Sequence, residues 1–381
     1  MAALRVGIIG GGRIADLHAL GYRDSLQAEI CTVCDVNEHL ARSRAREWRA
    51  ERWFTDYREL LADPAVDAVE IITPHYLHAE MTVAALEAGK HVSVQKPMAL
   101  TVTECDAMIA AAKRTGKNLR VFENFRYYPA HAKAKELLES GAVGEPLSIR
   151  VKSIQGSLGG GRRNQVSTPD RRVDAREGYP LPLSHQLAGT SPSNWKYDSR
   201  KSGGGRVVLD GGYHIFSLAL FYLGVVEKVF AWITYRTIRH GWLLDSPAMI
   251  CWKYRDAEKY GCWEAVASDD LLVPTKYFPE DEWVEITGSK GFLWVNRCTS
   301  MLLDRPVLVM YRDGVTTEYS DLDTDWAASF VRGNHDWIDS LVEGRQAPLS
   351  GVQGKVVLQF ARAAQLSAQE NREVRLQEMS N

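Results

Sequence analysis

Residues 4–15 read LRVGIIGGGRIA, and this stretch decides the fold. The apolar run LRVGII predicts a buried β-strand, and a helical pattern begins at Ile14, with one residue between it and the three glycines. Gly10 and Gly12 permit a tight turn and a close backbone approach, while the N-terminus of the following helix offers free N–H groups to a phosphate. The order strand, glycine turn, helix therefore predicts a unit that binds a dinucleotide, with Gly10, Gly12, Arg13 and Ile14 as cofactor contacts.

An acidic residue follows the second apolar run, AEICTVC at residues 28–34. A carboxylate at the end of the second strand accepts hydrogen bonds from the ribose hydroxyls of the adenosine half and repels a 2′-phosphate. Asp35 therefore favours NAD over NADP, and Arg13 could add a contact to the pyrophosphate. The alternative is a glycine turn without a nucleotide, in which Asp35 only caps a turn.

Short apolar runs and helical patterns alternate over the first 122 residues, which predicts βαβ units and a parallel sheet covered on both faces. The pattern changes after Gly144 to a strand-rich region whose strands are joined by short turns such as GSKG at residues 288–291. The sequence predicts an α/β protein with a doubly wound N-terminal domain, residues 1–124, and an α+β domain, residues 125–381. Two helices, roughly 326–343 and 352–369, close the chain.

Composition excludes several classes of partner. The 381 residues carry 46 basic and 48 acidic side chains, so no excess of positive charge exists to bind nucleic acid or an anionic membrane. No apolar run reaches the ~18 residues of a membrane span, and we expect a cytoplasmic protein. Six cysteines are too few for a disulfide scaffold, and the Cys31–Cys34 pair lies in a predicted buried strand, so we expect core thiols and no metal site.

Residues 159–195 form a long segment rich in Gly, Pro, Arg and Ser without a sustained period. Loops of this length are usually functional or disordered. We interpret the segment as an arm that contacts the substrate or a neighbouring subunit, with a disordered insert as the alternative.

Three side chains suggest chemistry. Lys96 follows the strand HVSVQ at the sheet edge where open α/β folds bind ligands, and its ammonium could stabilise a developing alkoxide. Asp210 and His214 are four residues apart in an apolar helical stretch, which predicts that they share a helical face. The acid could then orient the imidazole as a general base or share a hydrogen bond with the substrate. A surface lysine and a satisfied core histidine are the alternatives.

At these residues the sequence resembles the Gfo/Idh/MocA oxidoreductases, the relatives of glucose–fructose oxidoreductase and inositol dehydrogenase. The resemblance covers nearly the whole chain, and its strength lies in the order and spacing of several segments. These are GIIGGGRIADLHA, TPHYLHAE, AALEAGKHVSVQKP, FRYYPAHAKAKELLESGAVGEP, SGGGRVVLDGGYHIF, EITGSKGFLWV and APLSGVQGKVVLQFARAAQLSAQENREV.

The resemblance implies a Rossmann domain followed by a domain with a large open sheet whose outer face packs against another subunit, as a homodimer or homotetramer. It implies that Lys96, Asp210 and His214 are catalytic and contact substrate, and that Asn124 and Gln155 also touch substrate or nicotinamide. It further implies that cofactor contacts come from Thr73, Pro74, His75, His78, Gln95 and Lys96.

Two positions depart from the family pattern, because Gln95 replaces the usual Glu before Lys96 and His75 replaces the usual Asn after Pro74. Most tryptophans lie in the second half of the chain, where they could form walls for a sugar ring, fill the strand core or form a subunit interface. We expect the interface for Trp252, Trp263, Trp283 and Trp294.

The function predicted from these observations is the NAD-dependent oxidation of a secondary hydroxyl of a sugar, cyclitol or glycoside. Two alternatives remain: an enzyme that cleaves a glycoside through transient oxidation by retained NAD, and a non-catalytic sensor that binds a nucleotide and a protein partner.

Overall fold

The computed structural model describes residues 3–157, 194–237, 243–255, 257–273, 277–296 and 305–380. The first half of the chain forms a six-stranded parallel sheet in the order β3-β2-β1-β4-β5-β6. This is the doubly wound arrangement that the alternating pattern predicts. Its strands are β1 (Leu4–Ile9), β2 (Ala28–Cys34), β3 (Arg52–Phe54), β4 (Ala68–Ile71), β5 (His91–Gln95) and β6 (Leu119–Phe122).

Helices connect these strands and cover both faces of the sheet. The central strands are buried on both sides, and every residue of β4 and of β6 is buried, as expected for a parallel sheet between two helical layers. Cys31 and Cys34 are buried free thiols in β2, which confirms the core interpretation. The helices are α1 (Ala15–Ala19), α2 (Glu38–Trp48), α3 (Tyr57–Ala62), α4 (His78–Glu87) and α5 (Val102–Thr115).

The second half contains a nine-stranded sheet in the order β14-β13-β12-β11-β7-β10-β9-β8-β15. Only the pairing of β7 with β10 is parallel among the described strands, so the sheet is mostly antiparallel, as predicted. The GSKG segment joins β11 to β12. The strands are β7 (Pro146–Ser157), β8 (Val226–Thr237), β9 (Leu243–Tyr254), β10 (Tyr260–Leu272), β11 (Glu280–Gly288), β12 (Gly291–Val295), β13 (Leu308–Arg312), β14 (Val315–Tyr319) and β15 (Val374–Arg375).

One face of this sheet, the inner face, packs against helices. The two closing helices lie within two residues of their predicted bounds, and no helix in the described ranges is long and apolar enough to cross a membrane. The helices are α6 (Pro129–Glu139), α7 (Ser199–Ser202), α8 (Gly212–Leu223), α9 (Ala327–Val342) and α10 (Gly351–Glu370).

The inner face holds two of the four tryptophans expected at a subunit interface. Trp252 packs on Phe360 of α10, and Trp263 packs on Phe216 of α8; both indoles are almost fully buried. The expectation is therefore wrong for these two, because their positions in β9 and β10 point toward the helices. Trp283 and Trp294 lie half-buried on the opposite, outer face of the sheet. For these two residues the subunit interface stays a prediction.

The end of the chain returns to the first sheet. The N–H of Val121 donates to the carbonyl of Leu349, and the buried guanidinium of Arg120 donates to the carbonyl of Gly333 and to Asn334 Oδ1 of α9. Residues 327–350 thus pack on the Rossmann sheet although they follow the predicted division at residue 124. That division stays a prediction.

A π-helical turn, Arg206–Gly211, precedes α8 and carries Asp210. The carboxylate of Asp245 on β9 holds the start of this turn, accepting the N–H groups of Val207 (2.8 Å) and Val208 (2.7 Å). Burial raises the pKa of Asp245 to about 6, although the hydrogen bonds from these N–H groups act to lower it. The inner face of the second sheet thereby fixes the position of Asp210.

We predict that Asp245→Ala lowers the free energy of unfolding by about 2 kcal/mol or more, because two buried N–H groups lose their acceptor. Asp245→Asn, which keeps one acceptor oxygen, should cost less. Urea unfolding with circular dichroism measures both. The exposed Asp321→Ala is the control, and a loss no larger than that of the control would contradict this role for Asp245.

Candidate active site

The glycine turn after β1 leaves room for a dinucleotide. Gly10 has φ +101°, and a Cβ there would lie 2.5 Å from the carbonyl oxygen of Ile72, so only glycine fits. A Cβ on Gly12 would meet no atom within 4 Å, which shows that the turn is open at this point. Asp35 ends β2 beside the turn, where its Oδ2 accepts the N–H of Gly11 at 2.9 Å.

These residues fit an NAD molecule, since the open glycine turn lies beside the acid that would accept the ribose hydroxyls. The hydroxyl of Thr73 is buried and has no hydrogen-bond partner in the part of the chain that the structure describes, so a ligand could satisfy it. Arg13 lies at the domain junction, where its guanidinium donates to the carbonyl of Tyr277 and stacks on Phe278. A pyrophosphate contact by Arg13 stays a prediction.

Two predicted cofactor residues connect the loops around Lys96. The His78 ring lies between the two loops, with Nδ1 2.8 Å from the carbonyl oxygen of Pro97 and Nε2 2.8 Å from that of Thr73. Gln95 accepts the N–H of Lys96 through Oε1, and its amide nitrogen contacts the His18 ring. The Lys96–Pro97 peptide is cis.

Lys96 and Asp210 form a buried ion pair. The ammonium donates to Asp210 Oδ1 at 2.7 Å and to the carbonyl oxygen of the same residue at 2.7 Å. A second ammonium, Lys196, bonds to Asp210 Oδ2 at 2.7 Å, and His75 Nε2 lies 3.6 Å from Oδ1. Two lysines and an imidazole therefore surround one carboxylate.

The charges of this cluster determine its protonation. Burial acts to raise the pKa of Asp210, but Lys196, Lys96 and His75 outweigh it and hold this pKa well below its usual range. Burial lowers the pKa of His75 to about 3, so this ring is neutral near pH 7. Asp210 is ionised, and its single negative charge is shared by the two ammonium groups.

His214 has a different acid as its partner. Its Nδ1 lies 2.5 Å from Oε1 of Glu123, the residue that directly follows β6. The imidazole ring also stacks on Phe125, with ring centroids 4.0 Å apart and an angle of 8° between the planes. A carboxylate only accepts, so Nδ1 carries the proton and Nε2 keeps the lone pair in the neutral ring. Nε2 is thus the atom that can take a proton from a substrate.

Burial lowers the pKa of His214, and the charge of Lys96 lowers it further, against the opposing effects of Glu123 and Glu280. Lys96 and Glu123, the partner of His214, directly follow the paired strands β5 and β6. Burial acts to raise the pKa of Glu123, but His214, the N–H of Phe125 and Arg126 hold it below its usual value. His214 is therefore a neutral base near pH 7, with an ionised acid behind it.

The structure corrects one part of the predicted constellation. Asp210 was expected to orient His214 from one helical turn away, but Asp210 bonds to the two lysines and Glu123 bonds to His214. The reason is local: Asp210 lies in a π-helical turn and His214 in the α-helix after it, and the end of β6 packs against that helix.

Sequence reasoning missed Glu123 and Lys196. Glu123 directly follows the apolar strand LRVF, the same signal that identified Lys96 after β5. Lys196 offered no such signal, because it follows the irregular segment at residues 159–195. Most of that segment lies outside the described residues; in its described end, Trp195 packs against His75 with ring centroids 4.5 Å apart.

The remaining predicted contacts have partners within the protein. The amide of Asn124 donates to Ser329 Oγ at 2.9 Å, and that of Gln155 donates to Glu280. Ile14 packs against the core behind the glycine turn, and Pro74 precedes the short 3₁₀ turn of His75–Leu77. Their contacts to a ligand stay predictions.

Comparisons with known proteins agree with this geometry. Residues 4–123 match the profile of the GFO/IDH/MocA oxidoreductase family with its NAD-binding Rossmann fold, and residues 131–294 match the C-terminal domain of the same family. Myo-inositol 2-dehydrogenase of Thermotoga maritima is 27% identical over 99% of both chains. D-apiose dehydrogenase of Paraburkholderia graminis is 28% identical over 98% of this chain and 89% of its own.

Solved structures share the whole fold. A probable dehydrogenase from Thermotoga maritima superposes with a TM-score of 0.74 at 25% identity, over 99% of this chain and 100% of the other. Levoglucosan dehydrogenase in complex with NADH and levoglucosan superposes with a TM-score of 0.77 at 24% identity, over 98% and 99%. With both of its domains matched in order, the chain belongs to the GFO/IDH/MocA family of oxidoreductases.

Proposed function

We propose that this protein is an NAD-dependent dehydrogenase that oxidises a secondary hydroxyl of a sugar or cyclitol to a ketone, reversibly. One observation carries the proposal: Lys96 and Glu123 directly follow the paired strands β5 and β6, and their partners Asp210 and His214 are four residues apart in the chain. Relatives named as inositol, levoglucosan and apiose dehydrogenases support this substrate class.

When bound, NAD supplies C4 of its nicotinamide ring as the hydride acceptor. Lys96 donates a hydrogen bond to the substrate oxygen and stabilises the negative charge that develops there. His214 Nε2 takes the hydroxyl proton, and Glu123 stabilises the imidazolium that forms. Asp210 holds Lys96 in position, together with Lys196.

The cofactor assignment is NAD rather than NADP, because the carboxylate of Asp35 at the end of β2 would repel a 2′-phosphate. Gly10, Gly12 and Ile14 would lie against the pyrophosphate, and Thr73 and Pro74 would face the nicotinamide ribose.

Incubation with NAD and a panel of sugars, inositols and glycosides tests the reaction. A dehydrogenase accumulates NADH in proportion to the ketone, which absorbance of the reduced nicotinamide measures. Release of sugar from a glycoside without accumulation of NADH would instead support the glycoside-cleaving alternative. Turnover of neither kind would contradict both enzymatic assignments.

We predict that Gly10→Ala weakens NAD binding by at least about 10-fold, because the new methyl group meets the Ile72 carbonyl and displaces the phosphate turn. Gly116→Ala is the matched control, since Gly116 also has a positive φ but a Cβ there meets nothing within 4 Å. Isothermal titration with NAD measures both, and circular dichroism checks folding. Equal NAD affinity in the two variants would show that Gly10 does not shape the cofactor site.

A pH profile tests the proposed base. Because the rate needs neutral His214 and its pKa is lowered, kcat/KM should reach half its maximum below the ordinary histidine pKa of about 6.5. Glu123→Gln removes a charge that opposes this lowering, so the half-maximal point should move to lower pH, and kcat should fall about 10-fold or more.

Exposed Glu136→Gln on α6 is the control for Glu123→Gln. A half-maximal point that moves upward, or a profile that matches the control, would rule out Glu123 as the partner of the base.

We also propose that the protein is a cytoplasmic homo-oligomer assembled through the outer face of the second sheet. Aromatic side chains lie at both ends of this face: Phe292 stacks on Tyr311 at 5.0 Å and lies 4.6 Å from Trp294, and on β8 Trp232 is 57% exposed beside Phe230. Exposed aromatic clusters of this kind are typical of interfaces. The cytoplasmic location is supported by Cys251 and Cys262, which lie opposite each other on β9 and β10 as free thiols.

The double variant Trp232→Glu/Tyr311→Glu should sediment as a smaller species than the wild type, because two carboxylates would be buried at the interface. Analytical ultracentrifugation measures this. Leu26→Glu, which alters a fully exposed residue of the first domain, should leave the oligomer intact. A monomeric wild type would refute the assembly.

A further inference from the structure

An arginine lies on the buried face of α2, the helix that follows Asp35. The buried residues of this helix are Ala41, Arg44 and Ala45, which are three and four residues apart and therefore share one face. Arg44 is only 1% exposed. Burying a guanidinium is costly unless its N–H groups are paired, so the partners of Arg44 show what the side chain does there.

The guanidinium of Arg44 reaches the glycine turn, residues 10–12. Its Nε donates to the carbonyl oxygen of Gly11 at 3.0 Å, and a Cβ on Gly11 would lie 3.1 Å from Arg44 Cγ. Nη2 donates to Asp16 Oδ2 in α1 at 2.8 Å, and Nη1 donates to Glu47 Oε2 at 2.7 Å. Arg44 thus joins α2 to the glycine turn and to α1.

Arg44 and Asp35 hold Gly11 from both sides. Oδ2 of Asp35 accepts the N–H of Gly11 at 2.9 Å, so one hydrogen bond fixes the peptide group before Gly11 and another fixes the peptide group after it. Three glycines in succession lose much backbone freedom when they become ordered. The two hydrogen bonds order the turn before a cofactor binds, which lowers the entropic cost of binding.

The hydrogen bond from Arg44 also sets the direction of an N–H group. The peptide between Gly11 and Gly12 is trans, and in a trans peptide the C=O and N–H bonds point in opposite directions. Since the Gly11 carbonyl points at the buried guanidinium, the N–H of Gly12 points away from it. A Cβ on Gly12 would meet no atom within 4 Å, so there is room for a ligand at this residue.

We infer that Arg44 is a positioning residue of the cofactor site. By its hydrogen bond to the Gly11 carbonyl it directs the Gly12 N–H toward the pyrophosphate of NAD, and it does this from beneath the turn, without contacting the cofactor. The donor at Nε carries this role, whereas the positive charge serves the pairs with Asp16 and Glu47. This role rests on the proposed function for its cofactor alone.

Two substitutions separate the donor from the charge. Arg44→Gln removes the charge but keeps an N–H donor at the position of Nε, since both side chains have three carbons before this nitrogen. Arg44→Lys keeps the charge but places a methylene group at that position. A role in ion pairing alone would make Arg44→Lys the milder change.

Isothermal titration with NAD measures the effect of each substitution. We expect Arg44→Lys to bind NAD at least about 10-fold more weakly than the wild type, because the buried Gly11 carbonyl loses its donor. Arg44→Gln should bind NAD at least about 3-fold more tightly than Arg44→Lys, because it restores that donor.

Arg42→Lys and Arg42→Gln are the matched controls. Arg42 lies on the same helix, where its half-exposed side chain pairs with Glu38 and stacks on Trp53. Both controls should bind NAD as the wild type does, and circular dichroism checks the folding of all four variants.

A crystal structure of the wild type with NAD tests the same role without a substitution, and it decides the question if the Arg44 variants do not fold. Gly12 N should lie within about 3.2 Å of a pyrophosphate oxygen, with Arg44 Nε still bonded to the Gly11 carbonyl. A pyrophosphate bound by the guanidinium itself, or out of reach of Gly12 N, would overturn the inference. So would Arg44 variants that bind NAD equally or in the reverse order.

These readouts need no turnover. If the predicted order of NAD affinities holds but no sugar is oxidised or cleaved, the proposed reaction fails while the role of Arg44 stands. If a sugar is oxidised but the order of affinities is reversed, only the role of Arg44 fails.

Discussion

The buried ion pair between Lys96 and Asp210 is the interaction on which the site depends. It joins the carboxyl end of β5 in the Rossmann sheet to the π-helical turn before α8, two segments 114 residues apart. Removing Asp210 would leave the Lys96 ammonium without its carboxylate, which costs several kcal/mol, whereas removing Lys96 would leave Asp210 bonded to Lys196. The ion pair therefore fixes where the turn before α8 lies relative to β5. The same placement brings His214 of α8 to Glu123, directly after β6.

The site divides its acids between two tasks. Asp210 compensates ammonium groups and stays ionised, whereas Glu123 stands behind the base that must accept a proton. Burial lowers the pKa of His214 and keeps the ring neutral, and Phe125 stacked on it restricts its rotation. A charged hydrogen-bond donor and a neutral acceptor can thus coexist in one cleft near neutral pH, as removal of a proton and a hydride from one carbinol requires.

Local patterns in the sequence predicted much of this arrangement. The strand LRVGII and its glycine turn were enough to predict the fold of the first domain, because the constraints on them are local. These constraints are a positive φ at Gly10, a buried strand and an open helix N-terminus. Lys96 was predicted for the same reason, since it directly follows a buried strand. The GSKG turn and the two closing helices were likewise predicted from turn residues and from the helical spacing of apolar residues.

Long-range packing decided what the patterns could not. The partner of His214 is 91 residues away, and its identity follows from how β6 meets α8 rather than from any helical spacing. Period-2 alternation places the tryptophans on strands but does not show which face of the sheet the helices cover, so the expectation of an interface was wrong for Trp252 and Trp263. The return of residues 327–350 to the first sheet is also invisible to local pattern, because it depends on the partners of the buried Arg120.

The central claim is that the hydroxyl to be oxidised is held between Lys96 and His214. A crystal structure of the protein with NAD and a polyol that it oxidises tests this most directly. The account predicts one secondary hydroxyl oxygen within about 2.6–3.2 Å of both Lys96 Nζ and His214 Nε2. A bound polyol whose hydroxyl beside the nicotinamide contacts other side chains, with both of these nitrogen atoms out of hydrogen-bonding reach, would contradict it.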